Sequence, residues 1–372
     1  MSELRIIIVD FNHLAHMHAN SGNNLTYTVY DSMGNPNVIN TTIINGVVKS
    51  INRWSNQGMY PIAICFDSPV PSRKAFFCKA FNVEPGSAAE YKGGRERMSE
   101  MFYDSIERIQ TLFNHVGISC FKSRNYEADD LIFACIKKAK EDYPGVPIDV
   151  ITNDADLIPL VDDTVSVFIR SKIGTYAVRK DLEKMKYIQV TPDNYQEVVQ
   201  NMSNYRKFLV PYNTLLLQKI IRGDSSDNIP GIKKKFPPKV YNRLIEDMQH
   251  DWVDLYDAFR YGECKKSYRL LDTKEEVSKE FAMENKSKCF IKYDRPKELD
   301  RILEVMSRYT DDSEVLDYIE KMYLTMNLNQ AYLGLGEASR QPAEISRKIT
   351  GYDDTKLASL ASSMYGVRLY GR

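Results

Sequence analysis

The sequence predicts an α/β fold, a mostly parallel sheet flanked by helices. Apolar, β-branched runs that end in an acid recur at "RIIIVD" (5–10), "PIAICFD" (61–67) and "PIDVITND" (147–154). They are continuous rather than alternating, as strands buried on both faces of a parallel sheet are. Stretches of helical periodicity separate them, so strand and helix alternate as crossover connections require.

The first run ends at Asp10 and leads into His13, His16 and His18. No second ligand group matches that histidine spacing, so a helix beside the strand is expected, not a metal site. His115 and His250 fall in helical segments and read as structural. The second run ends at Asp67. Residues 97–117 then place Met98, Met101, Phe102, Ile106, Ile109, Leu112, Phe113 and Val116 near helical spacing, with Gly117 as the stop. Residues 127–140 put Ala128, Leu131, Ile132 and Cys135 on one helical face. The third run ends at Asp154, with Asp156 just beyond.

Residues 165–178 ("SVFIR", "SKIG", "TYAV") read as a hairpin with Gly174 in its turn. From about residue 190 the strand signal fades. "TPDNYQEVV" and "PYNTLLLQKIIRG" read as capped helices, and the chain to about 330 as mostly helical. Three segments are therefore expected: an α/β core over 1–195, a helical region over 196–330, and an extension over 331–372. The extension, of uncertain order, ends in "SMYGVRLYGR", which suits a packed or frayed tail or, less readily, a docking peptide for a replication partner.

Bulk composition narrows the classes. The chain has 372 residues, is 43% hydrophobic, and balances Lys+Arg 50 against Asp+Glu 50. Any nucleic-acid surface must then be local and offset by acids elsewhere. Six cysteines contain no CxxC pair, which argues against a zinc knuckle or a disulfide framework. "MSELRIIIVD" is too short and too charged for a signal peptide, and no apolar run nears the ~18 residues of a membrane span. A soluble, cytoplasmic monomer without membrane contact is expected.

In an open parallel sheet, ligands bind beyond the carboxyl ends of the strands. Asp10, Asp67, Asp154 and Asp156 fall there, and "EADD" adds Glu127, Asp129 and Asp130 at a helix start. Alone, "EADD" reads more readily as a solvated first turn favoured by the helix dipole. Seven converging carboxylates raise one another's pKa, and divalent cations are the natural compensation. Oxygen ligands without His or Cys point to Mg²⁺ or Mn²⁺. "IRGDSSDNIPGI" (221–232) adds Asp224 and Asp227, which alone suit an Asx-capped turn.

Basic residues form the counterpart. "SRKAFFCKAF" carries Arg73, Lys74 and Lys79 among aromatics, and "EYKGGRER" carries Tyr91, Lys92, Arg95 and Arg97. Such interleaving suits phosphate contact and base stacking, and equally a solvated helix start. "GIKKKFPPK" offers Gly231, Lys233, Lys234, Lys235 and Lys239 as an anchor for a phosphate backbone, or as an exposed basic loop.

Together, "VDFNHLAH", "ICFDSP", "YKGGR", "YEADDLI", "TNDADLIPLV" and "GDSSDNIPGI" resemble the flap-endonuclease family of 5′ nucleases, a branch of the PIN-like metal nucleases. The likeness is greatest to bacteriophage 5′→3′ exonucleases, phage ribonuclease H among them. The motifs occur in family order and cover about residues 5–240. The resemblance implies a PIN-like sheet, a helical arch over about 73–117, and a helix–turn–helix around 215–249 that grips duplex DNA. It implies a 5′→3′ exonuclease and flap endonuclease of DNA replication or repair. DNA with a 5′ end or flap is the implied substrate, with RNA–DNA hybrids beside it. Carried over by residue, Asp10, Asp67, Glu127, Asp129 and Asp130 would hold or support one Mg²⁺. Asp154, Asp156 and Asp227, with Asp224 nearby, would serve a second. Lys92 and Arg95 would meet the scissile phosphate, and Tyr91 would stack on the terminal nucleotide. In the anchoring turn, lysines and prolines stand where the family usually has a glycine-rich loop. Rival readings are a PIN-type ribonuclease on single-stranded RNA, a phosphate-receiver domain, and a catalytically silent DNA-binding homologue.

Overall fold

The computed structural model describes residues 4–20, 25–30, 32–68, 71–94, 98–170, 187–195, 197–198, 219–221, 223–224, 227–232, 236–250, 266–270, 272–285, 288–293, 297–328, 345 and 347–369. The chain forms two compact bodies. One comprises Met1–Pro69, Glu96–Arg206 and Ile345–Arg372, the other Val70–Arg95 and Lys207–Glu344.

The first body is built on six strands. They are β1 (Ile6–Asp10), β4 (Ile62–Phe66), β5 (Ser119–Lys122), β6 (Ile148–Thr152), β7 (Val165–Arg170) and β8 (Tyr187–Val190), in the order β5-β4-β1-β6-β7-β8. All neighbours pair in parallel except β7 and β8. Every residue of β1, β4 and β6 is buried, which is why their sequences are apolar apart from Asp10, Asp149 and Thr152. The chain runs outward from β1 through β4 and β5, then returns to β6 on the other side of β1. The strand order therefore reverses between β1 and β6, the place where open α/β sheets bind ligands.

Helices α1 (Phe11–Ala19), α2 (Thr42–Trp54), α4 (Glu100–Val116) and α5 (Ala128–Asp142) belong to this body, and α3 (Ser72–Phe81) to the other. The Ser99 hydroxyl caps α4 by accepting the Phe102 amide, and Gly117 ends it at φ 84°, as the sequence predicts. Strands β2 (Thr26–Tyr30) and β3 (Pro36–Asn40) form a separate antiparallel hairpin that no expectation covered. Of the hairpin expected over 165–178, the first strand is β7, whose antiparallel partner is Tyr187–Val190; residues 171–178, Gly174 among them, lie outside the described residues.

The histidines of α1 face neighbours in the core. His13 Nε2 lies 2.8 Å from the Tyr187 hydroxyl, and His18 Nε2 lies 3.0 Å from the Ser50 hydroxyl. Burial, and next the positive charge of Arg170, push both rings down to about 4. Between that value and the ordinary ~6.5 the unfolded chain binds more protons than the folded one. Stability conferred by these neutral rings is thus intact above pH ~6.5 and falls as the pH drops toward 4. An NMR titration should give two histidines with midpoints near 4, whereas ordinary midpoints for both would contradict this burial.

The described part of the C-terminal extension, from residue 347 to 369, packs on the first body. The helix Asp354–Tyr365 buries Leu357, Ala361 and Tyr365 in the core of the first body, and Ile349 and Val367 are buried beside it. The backbone carbonyls of Ile349 and Thr350 accept the hydroxyl of Tyr143, at the end of α5, and the amide of Ile62, in β4. Of the two readings of "SMYGVRLYGR", a packed segment holds through Leu369.

In the second body, α3 meets the helix Ser313–Met326, with the Phe81 and Tyr318 rings 5.4 Å apart. Residues 70–95 belong to the second body, where Phe81 meets Tyr318 and Phe76 and Phe77 are buried. The expected core over 1–195 included this segment, whereas the first body comprises Met1–Pro69, Glu96–Arg206 and Ile345–Arg372. The body break thus falls inside the segment expected to be one arch. The region expected to be mostly helical also holds a three-stranded antiparallel sheet of Glu276–Val277, Lys266–Leu270 and Cys289–Tyr293. Helix Pro238–His250 starts on a proline, as a first-turn position favours, within the expected helix–turn–helix. Among the described residues no helix is long and apolar enough to cross a membrane.

Candidate active site

Seven acids gather at the carboxyl edge of the first body's sheet. Asp10 is the last residue of β1 and the N-cap of α1. Its Oδ1 accepts the His13 amide at 3.2 Å, and its Oδ2 accepts the hydroxyl of Thr152 at 2.9 Å. Thr152 ends β6, so this bond spans the boundary where strand order reverses. Asp67 follows β4 and ties two helix starts together. It accepts the Ala128 amide of α5 at 2.8 Å and the side-chain amide of Asn12 in α1 at 2.6 Å.

At the start of α5, Glu127 and Asp130 form a reciprocal capping box, with the Glu127 amide donating to Asp130 Oδ2 at 3.1 Å. Glu127, Asp129 and Asp130 are only 4%, 9% and 2% exposed. A solvated first turn is therefore excluded. Capping explains two of the three acids and leaves Asp129 outside that account. Asp154 caps the short 3₁₀ helix Ala155–Leu160 by accepting the Asp156 amide at 2.9 Å, and its own amide donates to Thr152 Oγ1 at 3.0 Å.

These donors are all carboxylate oxygens. The histidines of α1 are engaged elsewhere, and Cys65 and Cys135 face each other in the core at 3.8 Å. An oxygen-only set fits a hard divalent cation and not zinc or copper. Thr152 and Asn12 organise the acids without being acids, and charge patterning passes over such residues. Their signal is position: each lies within two residues of an acid at a strand end.

The second body carries acids of its own. Gly223–Asp224 and Ile229–Pro230 form a two-residue antiparallel ladder, closed by a bond from the Asp227 amide to the Asp224 carbonyl. Gly223 has φ 80°, and a Cβ there would stand 2.4 Å from the Gly231 nitrogen, so this turn needs glycine on its own geometry. Asp224 pairs with Lys219 at 2.6 Å, and Asp227 is buried. The loop binds the "EYKGG" stretch, with the Lys92 amide donating to the Asp227 carbonyl at 3.1 Å. Lys92 Nζ lies 5.0 Å from the centre of the Tyr91 ring.

Some expected nucleic-acid residues are placed otherwise. Tyr91 is 3% exposed with its ring near Phe77, so it packs beneath Lys92 and offers no open stacking face. Arg73 is 4% exposed, too enclosed for a phosphate contact. Lys74 is paired with Glu90 at 2.5 Å. Lys79 and Lys239 are exposed as expected. Arg95, Arg97, Lys233, Lys234 and Lys235 lie outside the described residues.

Gly93 is the tightest point of the stretch. A Cβ there would meet the Ser87 carbonyl at 2.5 Å and Glu90 Cγ at 2.7 Å. Gly93→Ala should cost roughly 1–3 kcal/mol through overpacking, read as a lower urea midpoint. An unchanged midpoint would contradict the packing.

A family model described as "5'-3' exonuclease, N-terminal resolvase-like domain" matches residues 6–191, which carry all seven acids of the first body. The chain belongs to this 5′-3′ exonuclease family. Among relatives, DNA polymerase I of Streptococcus pneumoniae is 35% identical over 146 residues, 39% of this chain and 14% of that protein. DNA polymerase I of Deinococcus radiodurans is 28% identical over 240 residues, 64% of this chain and 21% of that one. This 5′-3′ exonuclease chain thus corresponds to a minor part of those polymerases. Among solved structures, the T5 D15 protein co-crystallized with metal ions has a TM-score of 0.48 at 16% identity, covering 88% of this chain and 91% of that one. The catalytic core of Rad2 in complex with DNA substrate has a TM-score of 0.41 at 13% identity, covering 99% and 90%.

Proposed function

We propose that this 5′-3′ exonuclease family member is a metal-dependent 5′ nuclease that hydrolyses DNA phosphodiesters as both exonuclease and flap endonuclease. The oxygen-only acid set at the point of strand reversal, with Asp10, Glu127, Asp129 and Asp130 buried and Asp67, Asp154 and Asp156 half-buried, carries the reading. Folding so many carboxylates together is costly unless positive charge meets them, and the donor chemistry selects a hard cation.

Asp10, Asp67, Glu127, Asp129 and Asp130 hold or support one ion, and Asp154, Asp156, Asp224 and Asp227 serve a second. Bound divalent ions, Mg²⁺ or Mn²⁺ in its place, supply an activated water and stabilise charge on the phosphodiester. Lys92, with Arg95, neutralises charge on the scissile phosphate. Thr152 and Asn12 orient Asp10 and Asp67 through the hydrogen bonds given above. Exposed Lys79 and Lys239 contribute to duplex contact, together with the lysines at 233–235. RNA strands paired to DNA belong to the same substrate class, and primer removal in replication suits such an enzyme.

Parallel digestion of 5′-flap DNA, an RNA–DNA hybrid and single-stranded RNA tests the assignment. Cleavage of the two duplex substrates well above the single-stranded RNA supports it. Preferential cleavage of single-stranded RNA would favour a PIN-type ribonuclease.

A further inference from the structure

Lys92 adopts φ 57°, a left-handed backbone from which lysine gains nothing. That conformation is strained for an L-residue, so its surroundings must impose it. The Lys92 amide is bound to the Asp227 carbonyl, and the Gly93 amide donates to the Glu90 carbonyl at 2.9 Å. Asn228, next to Asp227 in sequence, closes the arrangement. Its side-chain amide donates to the Ala88 carbonyl at 2.7 Å and to the Glu90 carbonyl at 3.0 Å.

Glu90 anchors the far side. Burial pushes its carboxyl upward, but bonds from Lys74 and from the Gly86 amide at 2.9 Å outweigh that and hold it below the ordinary carboxylate value. Glu90 thus stays charged while its carbonyl serves Asn228 and Gly93. Asn228 itself has φ 59°, which asparagine tolerates better than most residues. It suits the position for two separate reasons: it accepts the backbone, and it offers two amide protons to two carbonyls.

We infer that Asn228 is a positioning residue that fixes the Lys92 segment against the loop bearing Asp224 and Asp227. The inference rests on the proposed nuclease reading, in which Lys92 meets the phosphate and Asp227 serves a metal ion. Asn228 touches neither. It sets the spacing between an amine and a carboxylate that are about 135 residues apart in sequence. Because the bonds go to backbone carbonyls, no side chain of residues 88–90 can restore them once the amide is gone.

Asn228→Gly separates the two reasons, since glycine keeps the left-handed backbone and removes only the amide. Three readouts decide. Amide hydrogen exchange at Lys92 and Gly93 should quicken at least about tenfold in Asn228→Gly. The single-turnover rate on 5′-flap DNA with Mg²⁺ should fall about 10- to 100-fold, as small misplacements do, with DNA affinity in EDTA unchanged within about twofold. In a Lys92→Ala background the same change should slow cleavage by no more than about twofold, because Asn228 acts through Lys92. The inference is overturned if exchange at Lys92 and Gly93 is unaltered, or if Asn228→Gly slows the Lys92→Ala chain as much as it slows wild type. A wild-type chain that does not cleave would refute the nuclease reading separately, and exchange alone would then decide whether Asn228 holds the segment.

Discussion

Asp67→Asn should lower Mg²⁺-dependent cleavage of a 5′-flap substrate by about 10³-fold, because a lost metal-ligand charge removes several kcal/mol of transition-state stabilisation. The fold should survive. Asparagine keeps an oxygen for the Ala128 amide, and the Asn12 amide can reorient toward the new partner. A cost of at most about 1.5–3 kcal/mol is expected from weakening hydrogen bonds to a charged acceptor. Asp67→Ala is the poorer probe, since it strands the first amide of α5 and mixes folding with chemistry. Single-turnover rates together with urea midpoints make the separation. Wild-type rates in Asp67→Asn would remove Asp67 from the site. A stability loss above about 3 kcal/mol would make it a structural cap.

Deleting residues 345–372 should abolish the folded α/β body. The segment buries Ile349, Leu357, Tyr365 and Val367 in that core. At roughly 1.5–3 kcal/mol for each large apolar side chain, the loss is on the order of 6–12 kcal/mol. That matches the total stability of about 5–15 kcal/mol for a typical domain. Leu357→Ala offers a graded version, at about 2–5 kcal/mol for a buried leucine. Circular dichroism and thermal melts of both variants check the prediction. A truncated chain that melts at the wild-type temperature would show the segment to be an accessory.

Much of the α/β body was legible because its strands are buried on both faces. Such strands must be continuously apolar, and their carboxyl ends announce themselves with Asp10, Asp67 and Asp154. The "EADD" acids were legible as residues but not as an environment. Only the fold shows that a segment resembling an exposed helix start is enclosed. The hairpin of β2 and β3 escaped because its outward residues include Tyr30 and Val38, which blur the alternation of a half-exposed strand. The helix Asp354–Tyr365 escaped because it packs with few large side chains, and its alanines and serines resemble linker composition. In "SRKAFFCKAF" and "EYKGG" the interleaving of basic and aromatic residues was correct as composition. It could not show that Arg73 and Tyr91 face inward while Lys79 faces out. Asn228 was invisible for another reason. Its partners are backbone carbonyls at Ala88 and Glu90, and such bonds leave no pattern in side-chain chemistry.

The central claim is that the acids gathered within residues 6–191 serve metal-dependent cleavage from a 5′ end. Its most direct test is digestion of a 5′-flap duplex, labelled in parallel at the flap terminus and at the opposite end of the same strand, with Mg²⁺ and with EDTA. The account predicts release of short products from the 5′ label only when Mg²⁺ is present, together with a shortened 3′-labelled strand ending near the flap junction. Cleavage that persists in EDTA, or products that shorten from the 3′ end, would contradict it.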